Sequence, residues 1–142
     1  MKARDFLKQY AKIESIIKNH REQIEFLKNV AQGCTISMDS DRVKSSSVGQ
    51  RVENCVVKYA DLETELKREI ESAQALKKDI LRKIEMLETK EYEVIYMLYI
   101  KGMMLKQVEI ELKKSHSWVT MTHKRALSHL QSILDKQEVM NE

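Results

Sequence analysis

The side chains that catalysis or metal binding requires are sparse in this sequence of 142 residues. Cys34 and Cys55 are its only cysteines; their separation fits no zinc-ligand spacing, and no second pair completes a tetrahedral set. Two reduced thiols are expected instead. His116 and His123 stand seven apart, two helical turns, too far to share one metal. His20 interrupts an apolar run and is expected as a buried partner of Glu63. The carboxylate pairs Glu63/Glu65 and Glu69/Glu71 belong to a charged helical stretch and read as a solvated face. There is no Gly-rich phosphate loop and no nucleophile motif. The sequence therefore predicts no enzyme, no metal site, no cofactor and no small-molecule substrate.

A second group of residues suits contact chemistry. Residues 101–130 hold six Lys/Arg against two Glu, with three His, whereas residues 50–88 hold eight basic against nine acidic residues. The net charge of +3 says little by itself; its local excess suits phosphate. If Val119 faces a core, then Ser117, Thr120, Met121, Lys124 and Ser128 repeat along the opposite side of a helix whose first turn holds His116 and Ser117. Hydroxyls can meet base edges, Met121 can pack on a thymine methyl, and Lys124 can reach a guanine or a phosphate. Lys106, Gln107, Lys113 and Lys114 border this face and suit backbone contacts, which position rather than specify. Trp118, near the edge, reads equally as an interface anchor or as partly buried.

The elements that must position these residues are helical. With no Pro, three Gly and 33% charged residues, the class expected is all-α, built from long amphipathic helices. From Lys2 to Gln32, Ala3, Phe6, Tyr10, Ile13, Ile17, His20, Ile24, Leu27 and Ala31 alternate three and four apart, the spacing of a buried seam. Gly33 is placed as its C-cap. A Ser- and Asp-rich loop is expected over 33–49, either a functional element or a connector.

A second heptad run, Gln50 to Glu88, carries Val52, Val56, Tyr59, Glu63, Leu66, Ile70, Ala73, Lys77, Ile80, Ile84 and Leu87. An antiparallel coiled-coil hairpin over 1–88 is expected. Its favoured register sets Leu27 beside Val56, Ile24 beside Tyr59, Ile17 beside Leu66, Tyr10 beside Ala73, Phe6 beside Lys77 and His20 opposite Glu63. That choice rests on matching the polar layer, because heptad runs also match at shifts of seven. Pairing between two chains stays open.

Beyond Thr89, placed as an N-cap, the pattern shortens. Val94, Ile95, Leu98 and Tyr99 share an apolar face that Gly102 ends. Met104–Lys113 forms a second helix, with Leu105, Val108 and Leu112 inward. Ser115 caps a third that runs to about Lys136, with Val119, Ala126, Leu127, Leu130, Ile133 and Leu134 inward. Short helix, tight turn, longer helix is the layout of a helix-turn-helix. The domains expected are thus 1–88, 89–136, and a frayed tail over 137–142.

The string GMMLKQVEIELKKSHSWVTMTHKRALSHL resembles the last conserved region, region 4, of bacterial sigma factors, which reads the upstream promoter hexamer. Tyr99, Gly102, Leu105, Val108, Leu112, Ser115, Val119, His123, Arg125, Ala126, Leu127 and Leu130 carry the match. Leu87 and Val94–Leu98 match the preceding helix. The layout also resembles small sigma-like regulators of Gram-positive prophages, with a helical N-terminal half, a linker like Met38–Ser46 and an Asp-Leu-Glu stretch like Asp61–Glu63. The chain departs from the sigma pattern where Glu109 and Lys113 replace small residues, where Lys114 and Thr122 replace apolar ones, and where Trp118 and Met121 replace Arg or Gln.

The resemblance implies a cytoplasmic, phage-derived transcription regulator. It would bind double-stranded promoter DNA and act with host RNA polymerase, with the hairpin contacting polymerase, another regulator or a second copy as a homodimer. Two alternatives stay open: a DNA-packaging oligomer like a small terminase, and an adaptor whose degenerate motif touches only protein. No membrane partner is expected, because no stretch approaches transmembrane length and the segment MKARDFLKQY lacks the apolar run of a signal peptide.

Overall fold

The computed structural model describes the backbone of residues 1–40 and 46–141, and the side chains of residues 1–32, 53–54 and 56–141. The described residues are all-α, with no strand. Helix α1 spans Ala3–Ser40 and α2 spans Ser46–Glu85. Helix α3 spans Thr89–Ile95 and runs directly into a π-helical turn, Tyr96–Ile100. Helices α4 (Leu105–Leu112) and α5 (His116–Met140) follow. Among the described residues no helix is long and apolar enough to cross a membrane.

Several expected boundaries move. Gly33 does not end α1, which continues to Ser40, and α2 starts at Ser46 rather than Gln50. A single Gly inside a helix costs only about 1 kcal/mol relative to Ala, and continued hydrogen bonding along the backbone offsets that. The expected loop over 33–49 is therefore helical at both ends, and its centre, residues 41–45, lies outside the described residues, as do the side chains of Cys34 and Cys55. Thr89 is already helical: Glu88 holds the cap position with extended backbone, and its carbonyl accepts from the Tyr92 amide at 2.7 Å. The expected tail is helical as far as Met140.

The chain divides into two compact units. The first joins Met1–Glu14 to Ala75–Glu142. Here Phe6, Leu7, Tyr10 and Ile13 of α1 and Ile80 and Ile84 of α2 are buried, as is Leu87 just beyond it. Lys83 is buried too. Its ammonium lies 4.8 Å from the centre of the Phe6 ring and 2.8 Å from Asp79, so the charge is met on two sides while the stem packs. Lys77 stands 5.5 Å over the Tyr10 ring and pairs with Glu14.

The later helices of this unit close on Val94, Val108 and Val119, each with no exposure, surrounded by Met97, Leu98, Met103, Leu105, Leu112 and Trp118. Farther along α5, Ala126, Leu130 and Leu134 are buried. Gln131 ties α5 to the start of α1: its Oε1 accepts from the Ala3 amide at 2.8 Å and its Nε2 donates to the Met1 carbonyl at 3.1 Å.

The second unit is Ser15–Gln74. Ile17, Ile24, Ile70 and Ala73 are its buried apolar residues among those described. Its polar contacts correct the expected register. His20 meets Glu69 at 2.5 Å, not Glu63, and Glu63 instead meets Lys28 at 3.7 Å and Lys67 at 3.1 Å. These cations, Lys67 first, hold the Glu63 carboxyl below the usual range. In the first unit Phe6 likewise lies against Lys83 rather than Lys77, and Tyr10 against Lys77 rather than Ala73. In both units partners run in opposite order along α1 and α2, with His20, Phe6 and Tyr10 meeting α2 four to six residues beyond the expected partner. Heptad spacing fixes which face is buried, not which repeat meets which.

Candidate nucleic-acid interface

The candidate interface is the turn between α4 and α5. Helix α3 leads into it through the π turn, in which the Lys101 amide bonds back to the Tyr96 carbonyl at 3.0 Å. Gly102 then takes φ +68°, and the Met103 amide reaches the Met97 carbonyl at 2.9 Å. That left-handed position is open to glycine at no steric cost, so Gly102 ends the helix as its placement in the sequence suggests. Met104 caps α4, with Gln107 Oε1 accepting from the Met104 amide at 3.0 Å. Gln107, expected at phosphate, is thus engaged in holding its own helix start, although its side chain is exposed.

Helix α4 ends at Lys113, which has φ 54° and ψ 44°. A Cβ-bearing residue pays roughly 1–2 kcal/mol there. The Lys114 amide closes the turn on the Glu109 carbonyl at 3.1 Å. Ser115 then caps α5 as expected, its hydroxyl accepting from the Trp118 amide at 3.2 Å. The Glu109 carboxylate accepts from His116 Nδ1 at 2.6 Å. The carboxylate bridges across the turn rather than crowding it. Thr122 is buried and hides its hydroxyl by donating to the Trp118 carbonyl at 2.7 Å.

Of the residues expected on the reading face, His116, Ser117, Met121 and Lys124 are exposed, as is Ser128 beyond them, with Met121 at 65%. Thr120 is not on that face. It is half-buried, and its Oγ1 is enclosed without a partner among the described groups. One residue past Val119, a helix has turned only part way to the far side. Lys106 and Lys113 are exposed. Lys114 is exposed with its ammonium 5.2 Å over the half-buried Trp118 ring. Trp118 is therefore both an edge of the core and a platform for a cation.

Comparison with family models, with curated proteins and with solved structures found no match to this chain.

Two groups were not singled out in the sequence. Arg125, taken only as part of the resemblance, is exposed and lines a groove of about 420 Å³ with Trp118 and Thr122 of α5 and with Glu88, Thr89, Lys90 and Glu91. Within that wall Glu91 is buried and pairs with His129 Nδ1 at 2.9 Å. Behind the interface, the Tyr99 hydroxyl lies 2.9 Å from His123 Nε2. Burial raises the Tyr99 pKa and lowers that of His123, and Arg4 of α1 further disfavours a charge on His123. No local pattern in the sequence signals that Arg4 would meet residues so far along the chain. Helical spacing counted from Val119 does point to Arg125.

Electrostatics separates the units. The first holds sixteen Lys/Arg against twelve Asp/Glu, the second nine against ten. The positive excess lies in the unit that carries the α4–α5 turn, where an anionic partner would be attracted.

Proposed function

We propose that this chain is a sigma-factor-like transcription regulator that binds double-stranded promoter DNA. In this reading α4 and α5 form a helix-turn-helix, α5 enters the major groove, and α1 and α2 form an antiparallel hairpin that contacts polymerase or a second copy. The observation that carries it is the capped, tightly turned α5. It buries Val119 and leaves Ser117, Met121 and Lys124 outward, the face that groove reading requires. The charge difference between the units supports the same reading. A phage-derived activator working with host polymerase is the role that the sigma-like spacing favours.

The test is fluorescence anisotropy with random duplex DNA and with DNA upstream of the neighbouring genes, across a salt series. Tighter binding to the upstream fragment, weakening steeply with salt, is the expected result. The Lys113→Glu, Lys124→Glu double variant is expected to weaken both fragments. Absence of binding near physiological salt, with and without host polymerase, overturns the proposal and leaves a protein-only adaptor. A large ring in solution favours packaging instead.

A further inference from the structure

A recognition helix with its side chains, about 10–12 Å across, nearly fills a major groove about 12 Å wide, so both of its flanks face a phosphate wall. Of the residues assigned to phosphate from sequence, Lys106, Gln107 and Lys113 lie on α4 and at its end and account for one flank. The other flank is the row Lys114, Trp118 and Arg125, faced across the 420 Å³ groove by Lys90. Lys90, Lys114 and Arg125 are all exposed. Two carboxylates also line this groove. Glu91 is turned inward to His129 and buried, which leaves Glu88 as the exposed acid on the rim.

We propose that Lys90 and Arg125, with Lys114 held over Trp118, form a second phosphate-binding wall that grips the DNA strand opposite the one met by α4. This rests on the DNA-binding reading and adds residues to it from an element, α3, outside the helix-turn-helix. The chemistry fits the side chains. Arg125 offers a planar fork that matches two phosphate oxygens, Lys90 offers a point charge, and Trp118 fixes the Lys114 ammonium. Such contacts carry no sequence information, so they must act alike on every duplex.

The test measures the affinity of the full chain for random and upstream duplexes across a salt series, in Lys90→Gln, Arg125→Gln and Glu88→Gln variants, with helix content checked by circular dichroism. Because each altered side chain is exposed, the fold is expected to be unchanged. Each lost phosphate contact should reduce the slope of log affinity against log salt by about 0.9. Lys90→Gln and Arg125→Gln should each weaken both duplexes several-fold by the same factor, and Glu88→Gln should tighten both.

Unchanged slopes in Lys90→Gln and Arg125→Gln, alongside a clear loss in Lys113→Glu, Lys124→Glu, would overturn this wall and leave the DNA-binding reading intact. Weakening confined to the upstream duplex would also overturn it, since that marks base contact. No binding by the parent chain removes both proposals together.

Discussion

The two units solve the same problem with unequal means. In Ser15–Gln74 the described side chains bury a single stripe, Ile17, Ile24, Ile70 and Ala73, and none of these is fully enclosed. Phe26, Val56, Val57 and Leu62 stay exposed, and shallow grooves of about 340 and 250 Å³ remain between α1 and α2. In the other unit Leu7, Ile80, Ile84, Val94, Ile95, Val108, Val119 and Leu130 are at 0–1% exposure. Two helices can shield only the faces they turn to each other, whereas short helices arriving from several directions enclose a side chain completely. Local stability follows enclosure, so the unit that carries the α4–α5 turn is expected to open less readily than the other.

The sharpest way to break this contrast is to empty one site in each unit. Leu130→Ala is expected to cost about 3 kcal/mol in urea unfolding. Ile24→Ala should cost roughly half as much, because the open two-helix layer closes over the gap. Equal losses would mean that enclosure does not set stability here.

Next in size is a pH effect confined to the first unit. His123 has a depressed pKa when folded, because burial and Arg4 oppose its charge, so below about pH 6.5 the unfolded chain binds the proton more readily. The contribution is full above that value and is lost as pH falls toward the folded pKa. Stability measured between pH 7.5 and 5 should therefore drop, and His123→Gln should flatten that part of the profile. A profile unchanged by the substitution removes His123 as the cause.

Smaller still is Lys113→Gly, which relieves the left-handed strain at φ 54°. It should raise the melting temperature, by about 0.5–1 kcal/mol of added stability after the entropy of the new glycine is deducted. Phe26→Ser, at a side chain 66% exposed, should change monomer stability by no more than about 0.5 kcal/mol. A larger loss that grows with protein concentration would show that this face is covered by a second copy.

The same contrast explains what was legible in the sequence. Val119, Gly102 and Ser115 could be placed because a core position, a left-handed stop and a hydroxyl cap each leave a local signature. The face of α1 could be read for the same reason, but its pairing with α2 could not: His20 finds Glu69 rather than Glu63 because every repeat offers a similar partner. Leu7 lies beside the heptad seam, so seam spacing alone does not mark it, yet it is fully buried. Thr120 was misplaced by treating a helix as two-sided. Arg4 and Gln131 gave no sign, since their partners are set by tertiary packing. The assignment of the α4–α5 face to DNA remains a proposal about chemistry, supported by exposure, capping and charge.

The clasp of Gln131 on Ala3 has a consequence for the timing of folding. The amides in the first turn of a helix lack partners within it, and here the Ala3 amide is met by a side chain 128 residues away. At roughly 5–20 residues per second, synthesis separates the two by about 6–25 s. Throughout that interval the opening turn of α1, with Arg4 beside it, waits on the ribosome for a helix not yet made. The unit that contains both residues therefore closes only when α5 has been translated.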